Sequence, residues 1–162
     1  MPHRSRTTAS IVRVPELEYD VLDVLIGYAL RRAQVALYGA FDRATRGMDI
    51  TPPRFTALVI VGANAGISQS TLGTVLGIAR SGAMMLVDWM VERGMVERRN
   101  CPRDRRAWGL HLTVRGERFV EKMKASVLAE DRRQASLLSS AERRTLLGLL
   151  DKISVTKKER RA

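Results

Sequence analysis

The order of apolar and polar residues predicts that most of the chain is helical. Over residues 18–45 the apolar positions recur at helical spacing, but they form two stripes rather than one. A helix that is apolar over most of its circumference must be buried on more than one side. In a chain of 162 residues, we therefore expect a second subunit to cover part of it. The stripes consist of Val21, Leu22, Val24, Leu25, Ile26, Tyr28, Ala29, Ala33, Leu37 and Phe41.

Capping and turn residues divide the middle of the chain into short helices. Thr51 as N-cap and Pro52 in the first turn predict the start of one helix. Ser68 provides the N-cap of a second helix, and Gly77 ends it. The predicted helices span residues 54–61, 69–76 and 80–93. The last two are joined by a tight turn and therefore form a helix-turn-helix.

Beyond Gly94 the apolar period changes from helical to alternating, which predicts two strands. The strands span residues 95–99 and 107–112, with a turn over 100–106 between them. The returning strand is expected to be half-buried, since its apolar residues alternate: Trp108, Leu110 and Leu112. A hairpin directly after a helix-turn-helix predicts a winged helix.

The C-terminal third predicts two further helices. Thr113 caps the first, and Ser139 with Glu142 forms a capping box that opens the second. The second helix is expected to turn its leucine face inward, with Leu146, Leu149, Leu150 and Ile153. We predict a mainly α fold with a small β-hairpin wing, a winged helix-turn-helix domain flanked by N- and C-terminal dimerisation helices. Its parts are a basic flexible arm (1–15), an N-terminal dimerisation helix (16–47), the DNA-binding domain (48–115) and the C-terminal dimerisation helices (116–162).

The charge of the chain favours a polyanionic partner. Its formal net charge is +11 and its pI is near 10.9, which points to nucleic acid or an anionic membrane face. No apolar run approaches the roughly 18 residues of a membrane span, and the N-terminal residues lack the apolar region of a secretory signal. The single cysteine fits a reducing compartment. We therefore expect a cytoplasmic protein that binds nucleic acid and no membrane.

Residues 98–106 concentrate this charge, with five arginines in nine residues, at the end of the first predicted strand and in the turn that follows it. A narrow minor groove has an enhanced negative potential that favours an inserted guanidinium. Asp104 is expected to hold Arg106 in a fixed geometry, while phosphate contacts come from Arg99, Arg103 and Arg105. The alternative is a solvated basic turn. We favour the wing, because a solvated turn has no need to place so many like charges together.

The stretch from Ile50 to Gly116 resembles the MarR family of bacterial transcription regulators. Four segments carry the resemblance in order: DITP (49–52), VDWMVERGMVER (87–98), DRR (104–106) and LTVRG (112–116). The resemblance implies a homodimer whose recognition helices enter successive major grooves of double-stranded DNA while the wings reach the adjacent minor grooves. The DNA site would then be pseudo-palindromic, with half-sites about 10 bp apart.

The two short helices supply the remaining predicted DNA contacts. Hydroxyl and amide groups at the start of the first suit a phosphate contact, with ordinary capping as the alternative: Ser68, Gln69 and Ser70. The second is the candidate recognition helix, with Arg80, Ser81, Met84 and Met85. The family resemblance implies small hydroxylated residues here, where this chain has methionines. Hydrogen-bonding readout is therefore limited to Arg80 and Ser81, while methionine is able to contact a thymine methyl group.

The family resemblance also implies a small-molecule effector, an aromatic acid or its thioester, bound between the dimerisation helices and the DNA-binding domain. The residues in position for this are Tyr28, Arg31, Arg32, Tyr38, Phe41, Phe55 and Trp89. Either arginine is suited to a carboxylate or phosphate. The alternative is that the aromatic residues are core and that the arginines form an interface ion pair.

Catalytic, metal-binding and redox functions find little support in the sequence. No nucleophile with a base, paired carboxylates or phosphate loop is present, and no His/Cys cluster has metal-ligand spacing. We expect neither an enzyme nor a cofactor. Cys101 lies among arginines that favour a thiolate, but its place in the predicted turn is better explained as a variable residue.

The sequence thus predicts a homodimeric DNA-binding regulator, expected to be a repressor, that a small effector releases from its operator. The alternative is a constitutive, charge-driven architectural protein that binds nucleic acid without an effector. An RNA-binding protein would show aromatic stacking platforms, whereas aromatic residues make up only 5% of this chain.

Overall fold

The protein, analysed as a computed structural model, is mainly helical with a small sheet, as predicted. The structure describes residues 11–101 and 104–154, and it describes side chains there except at 101–107. The helices in the described residues are α1 (Ile26–Ala44), α2 (Pro52–Ala63), α3 (Gln69–Leu76), α4 (Arg80–Glu92), α5 (Val114–Gln134) and α6 (Ser140–Ser154). The strands are β1 (Ile67–Ser68), β2 (Val96–Cys101) and β3 (Asp104–Leu112).

The first long helix is shorter than the sequence predicts. It begins at Ile26, and only a single 3-10 turn over Asp20–Asp23 precedes it. Asp20 has φ +45°, a left-handed conformation that no α-helix contains and that Asp tolerates better than most residues. The prediction of a helix from residue 18 was therefore wrong for the segment before Ile26.

The helix-turn-helix forms where the sequence places it. The Ser68 hydroxyl accepts a hydrogen bond from the Thr71 amide at 3.0 Å and caps α3. Gly77 ends that helix at φ +64°, a backbone conformation that glycine adopts without strain. In the described residues no single helix has the length and hydropathy to cross a membrane, and α3 with α4 reaches them only as a pair bent by 113°.

The sheet is antiparallel, in the order β1-β3-β2. The hairpin is longer than predicted, since Cys101 still pairs with Asp104 after a bulge at Asn100. The predicted turn over 100–106 was therefore too wide. Strand β1 was not predicted, because two residues are too few to show an alternating pattern.

The hydrophobic core lies between α2, the helix-turn-helix, the base of the hairpin and α5. Its fully buried side chains include Leu58, Leu72, Val87, Met90, Leu110, Val120 and Met123. Leu110 is buried as predicted, but Trp108 on the same strand is 54% exposed. It lies further along the hairpin, opposite Asn100, so the prediction of a half-buried strand holds only at its base.

The terminal helices leave a broad apolar surface without cover in the described part of the chain. The face of α6 that was predicted to point inward is exposed at Leu146, Leu149 and Ile153, so that prediction was wrong for the single chain. The physical reason is that α5 and α1 pack against each other and offer α6 no enclosing groove. Its capping box does form, since the Ser139 amide donates to Glu142 at 2.7 Å and the Glu142 amide donates to the Ser139 hydroxyl at 3.2 Å. Hydrogen bonds from the side chain and the backbone amide of Ser139 hold the pKa of the Glu142 carboxyl below its usual value.

Glu130 on α5 joins that helix to α1. Its carboxylate accepts hydrogen bonds from Arg133 at 2.5 Å and from Arg43 on α1 at 2.9 Å. The hydrogen bond from Arg133, followed by that from Arg43, lowers the pKa of Glu130 from 4.5 to about 2. The bond to Glu130 also raises the pKa of Arg133 above its usual value.

The replacement Gly116→Ala is expected to destabilise the fold by about 3 kcal/mol, because the core cannot yield enough to fit the new group. A Cβ at this position would lie 2.0 Å from the Met95 carbonyl oxygen. Thermal and denaturant unfolding measure the change. Gly82→Ala, whose Cβ would meet only Ile78 at 3.8 Å, is the control and should be stabilising by roughly 0.5–1 kcal/mol. Equal stability of the two variants would contradict the close approach.

Because Glu130 contacts Arg43 and Arg133, the stability of the fold is expected to depend on pH in the acid range. A carboxylate with a lowered folded pKa stabilises the fold above its unfolded value, and this contribution falls as pH drops from 4.5 towards 2. The melting temperature of Glu130→Gln should therefore lie below that of the wild type at pH 6, and the gap should narrow at pH 3.5. Glu121→Gln, on the same helix, is the control. A difference in melting temperature between Glu130→Gln and the wild type that does not change with pH would contradict the lowered pKa of Glu130.

Candidate nucleic-acid interface

One face of α4 brings together four of the predicted DNA contacts. The opposite face is anchored in the core by Ala83, Val87 and Met90, which are almost fully buried. The helical spacing therefore turns the other side to solvent. That side carries Arg80, Ser81, Met84 and Met85, all of them exposed.

An ion pair connects this helix to the hairpin. Arg98 on β2 donates a hydrogen bond to the Asp88 carboxylate on α4 at 2.5 Å. An acid beside DNA would otherwise repel phosphate, so the guanidinium removes that penalty and fixes the base of the hairpin against α4. This ion pair was not predicted. The sequence feature that could have indicated it is an acidic residue in the helix together with an arginine in the strand that follows.

The start of α3 uses its hydroxyl groups within the protein. The Ser68 oxygen accepts from the Thr71 amide and lies 2.9 Å from the Ser70 hydroxyl and 2.8 Å from that of Thr71. Capping therefore accounts for Ser68. Gln69 is half-buried, whereas Ser70 is exposed at the surface of the helix.

The wing is only partly described. Arg99 on β2 is exposed and donates a hydrogen bond to Glu97 at 2.5 Å. Arg103 lies outside the described residues, as do the side chains of Cys101, Asp104, Arg105 and Arg106. The backbone places Asp104 at the start of β3, and its pairing with Arg106 stays a prediction.

The seven predicted effector residues do not form one cluster. Five lie on α1, with Phe55 on α2 and Trp89 on α4. The rings of Phe41 and Phe55 are 5.7 Å apart, and the Arg32 guanidinium lies 5.8 Å from the ring of Tyr28. The Tyr38 hydroxyl accepts from Gln34 at 3.2 Å.

Arg31 lines a cavity of about 500 Å³ between α1 and α6. The other lining residues are Gly27, Leu30, Gln34, Leu150, Ile153 and Ser154. Arg32 is not among them, because neighbouring residues on a helix point in different directions. The side chains of Arg31 and Arg32 therefore lie in different surroundings.

The ring of Trp89 contacts two arginines that were not among the predicted site residues. The guanidiniums of Arg54 and Arg93 are 4.1 Å and 4.4 Å from its ring centroid, and Arg93 also pairs with Asp49 at 3.0 Å. The contact with Arg54 joins separate helices, so no sequence pattern marks it. Arg93 follows Trp89 by one helical turn at the end of α4, and this spacing was readable from the sequence. The indole Nε1 of Trp89 is buried and without a hydrogen-bond partner in the described structure, and so is Nε of Arg32.

The bent pair of α3 and α4, followed by a hairpin that is tied to α4, defines a winged helix-turn-helix protein. The model of the MarR family matches residues 48–107. A protein assigned as transcriptional regulator of the hcr operon of Thauera aromatica is 32% identical over 152 residues, which are 93% of this chain and 90% of the relative. The chain belongs to the MarR family of transcriptional regulators.

Solved structures of the repressor CouR are similar over most of the chain. CouR bound to a 23-mer DNA duplex is 33% identical, with a TM-score of 0.81 over 86% of this chain and 99% of that chain. CouR bound to p-coumaroyl-CoA is 31% identical, with a TM-score of 0.77 over 86% of this chain and 98% of that chain. These similarities confirm the winged-helix fold and the family.

Proposed function

We propose that this regulator is a homodimeric repressor that an aromatic acid or aryl-thioester effector releases from its operator. The observation that carries the proposal is the pairing of two exposed surfaces in one chain. One is the polar and methionine face of α4, and the other is the apolar surface of the terminal helices. The face of α4 is suited to bind DNA, and the apolar surface of the terminal helices is suited to bind a protein partner. We also place the protein in the cytoplasm, where its operator is.

The apolar surface of the terminal helices supports a second copy of the chain as the partner. Contiguous exposed apolar patches of this kind are rare on monomers and mark interaction sites. They come from both ends of the chain, including Leu17, Val21, Val24, Ile26, Leu37, Leu128, Leu137, Leu147 and Leu149. A two-fold dimer through residues 16–47 and 116–162 buries them symmetrically. It then presents two DNA-binding domains (48–115) to half-sites about 10 bp apart.

The DNA contacts fall into two kinds. Charge supplies affinity, because each neutralised phosphate releases counterions. The basic arm (1–15) and the wing arginines are its main sources. Position and base recognition come from α4, which carries Arg80 and Ser81, and from the exposed start of α3 at Ser70. A constitutive architectural protein would need only the first kind.

The effector proposal is supported by two buried donors without partners. Leaving a buried donor unpaired costs about 1–3 kcal/mol, and both such atoms in the described structure, Arg32 Nε and Trp89 Nε1, belong to the predicted effector set. CouR binds p-coumaroyl-CoA, an aryl thioester with acceptor oxygens. An effector that binds one dimer conformation better than another shifts the population and lowers DNA affinity.

Specific DNA binding is the first expected outcome. Wild-type protein titrated onto DNA from upstream of its own gene should prefer it over shuffled DNA by about 10³-fold or more at about 150 mM salt, with one dimer per site. Arg80→Ala should weaken binding and flatten its salt dependence by about one unit if the contact is to phosphate, or relax base preference if it is to a base. Equal affinity for both DNAs, falling steeply with salt, would instead support the charge-driven alternative.

Release by an aryl thioester is the second expected outcome. Adding p-coumaroyl-CoA should weaken operator binding by wild-type protein, whereas free CoA should not. Arg32→Gln should raise the effector concentration needed by about 10-fold or more, because hydrogen bonds to charged groups contribute about 1.5–3 kcal/mol. Arg46→Gln, just beyond α1, is the matched control. Size-exclusion chromatography checks that both variants have the wild-type oligomeric state. Identical release of both variants and the wild type would contradict the role of Arg32.

A further inference from the structure

The exposed face of α4 is poor in hydrogen-bonding groups and rich in apolar ones. Met85 is 70% exposed and Met84 is 50% exposed. Both lie on the face that carries Arg80 and Ser81, away from the core contacts of Ala83 and Val87. These two thioethers are therefore the largest apolar groups on the side of the recognition helix that is turned to solvent.

The third polar group on this face is already engaged. Asp88 follows Met84 by one helical turn and accepts from Arg98 at 2.5 Å. Its oxygen is thereby committed to the hairpin rather than to a base. Hydrogen-bonding readout by the described part of α4 rests on Arg80 and Ser81, both in the first turn of the helix.

The major groove offers one apolar group to such a surface. Guanine, cytosine and adenine present only acceptors and donors there, whereas thymine adds its C5-methyl group. Methionine is flexible and polarizable, so it adapts to a small apolar neighbour. We propose that Met84 and Met85 recognise thymine methyl groups, and that these contacts select the base sequence of the operator at the centre of each half-site. The proposal rests on the proposed function as a DNA-binding regulator.

The net charge of +11 and the arginine at the start of α4 favour DNA as the occupant of this face over another apolar surface. The phosphates on both sides of the groove complement the basic residues, while the methionines lie between them.

The test uses full-length protein and DNA in which thymine is replaced by deoxyuridine. This exchange deletes the methyl group and leaves the hydrogen-bonding edge unchanged. Preferred sites are first selected from a random-sequence duplex pool at about 150 mM salt. Each thymine of a half-site is then replaced in turn, and the Kd is measured. At one or two positions per half-site, deoxyuridine should weaken wild-type binding about fourfold per methyl group, the loss expected from one buried carbon.

The variants Met84→Ala and Met85→Ala assign each methyl group to a side chain. Each should weaken binding to the thymine site by a similar factor and should be insensitive to deoxyuridine at its own position only. Alanine is the stronger helix former and both sites are exposed, so melting temperatures should not fall. Val114→Ala, 64% exposed on α5, is the control and should keep both the affinity and the deoxyuridine effect.

The outcomes separate this inference from the proposed function. A selected sequence that tolerates deoxyuridine everywhere overturns the methyl contacts and leaves a specific regulator. A deoxyuridine effect of equal size in wild type and both variants assigns the methyl groups to other residues or to DNA shape, and it also overturns the proposal. A pool that yields no preferred sequence overturns the methionine recognition together with the proposed function.

Discussion

The junction of Gly94, Met95, Thr113 and Gly116 is the constraint on which the rest of the structure depends. The Thr113 hydroxyl donates to the Gly94 carbonyl at 2.7 Å, the Thr113 amide donates to Met95 at 3.0 Å, and the same hydroxyl accepts from the Gly116 amide at 3.0 Å. The end of α4, the first residues of the hairpin and the start of α5 therefore meet within a few ångströms. A side chain at position 116 would not fit, since its Cβ would lie 2.0 Å from the Met95 carbonyl oxygen.

This junction offers a structural explanation for the regulation proposed above. α5 belongs both to the core of the DNA-binding domain, through Val120 and Met123, and to the contact with α1, through Glu130. Because the start of α5 is held against the end of α4 and the first residue of the hairpin by these hydrogen bonds, a rotation of α5 is expected to move α4 and the hairpin with it. Packed interfaces of this kind switch between discrete arrangements rather than deforming continuously. In the dimer proposed above, an effector that changes how α1 meets α5 would thus change the spacing of the two α4 helices.

The sequence predicted best what depends on neighbours in the chain. The caps at Ser68, Thr113 and Ser139 each join residues three apart in the chain, so the local sequence is enough to predict them. Arg93 lies one helical turn beyond Trp89 in the chain, whereas Arg54 is on α2 and meets the ring only in the folded structure. Trp108 shows a related limit, since an alternating pattern identifies a strand but not where the core beneath it ends. The candidate effector residues divide between separate places for the same reason.

The ion pair of Asp88 and Arg98 has an evolutionary consequence. The two residues are expected to evolve together, because replacing either Asp88 on α4 or Arg98 on β2 leaves the charge of the other without its partner. Under the proposed function, new DNA specificities on this scaffold would arise most readily at the exposed residues of α4 that do not pair with the hairpin: Arg80, Ser81, Met84 and Met85. Transplanting α4 alone into a related protein would carry the acid without its guanidinium, so a functional graft must extend through β2.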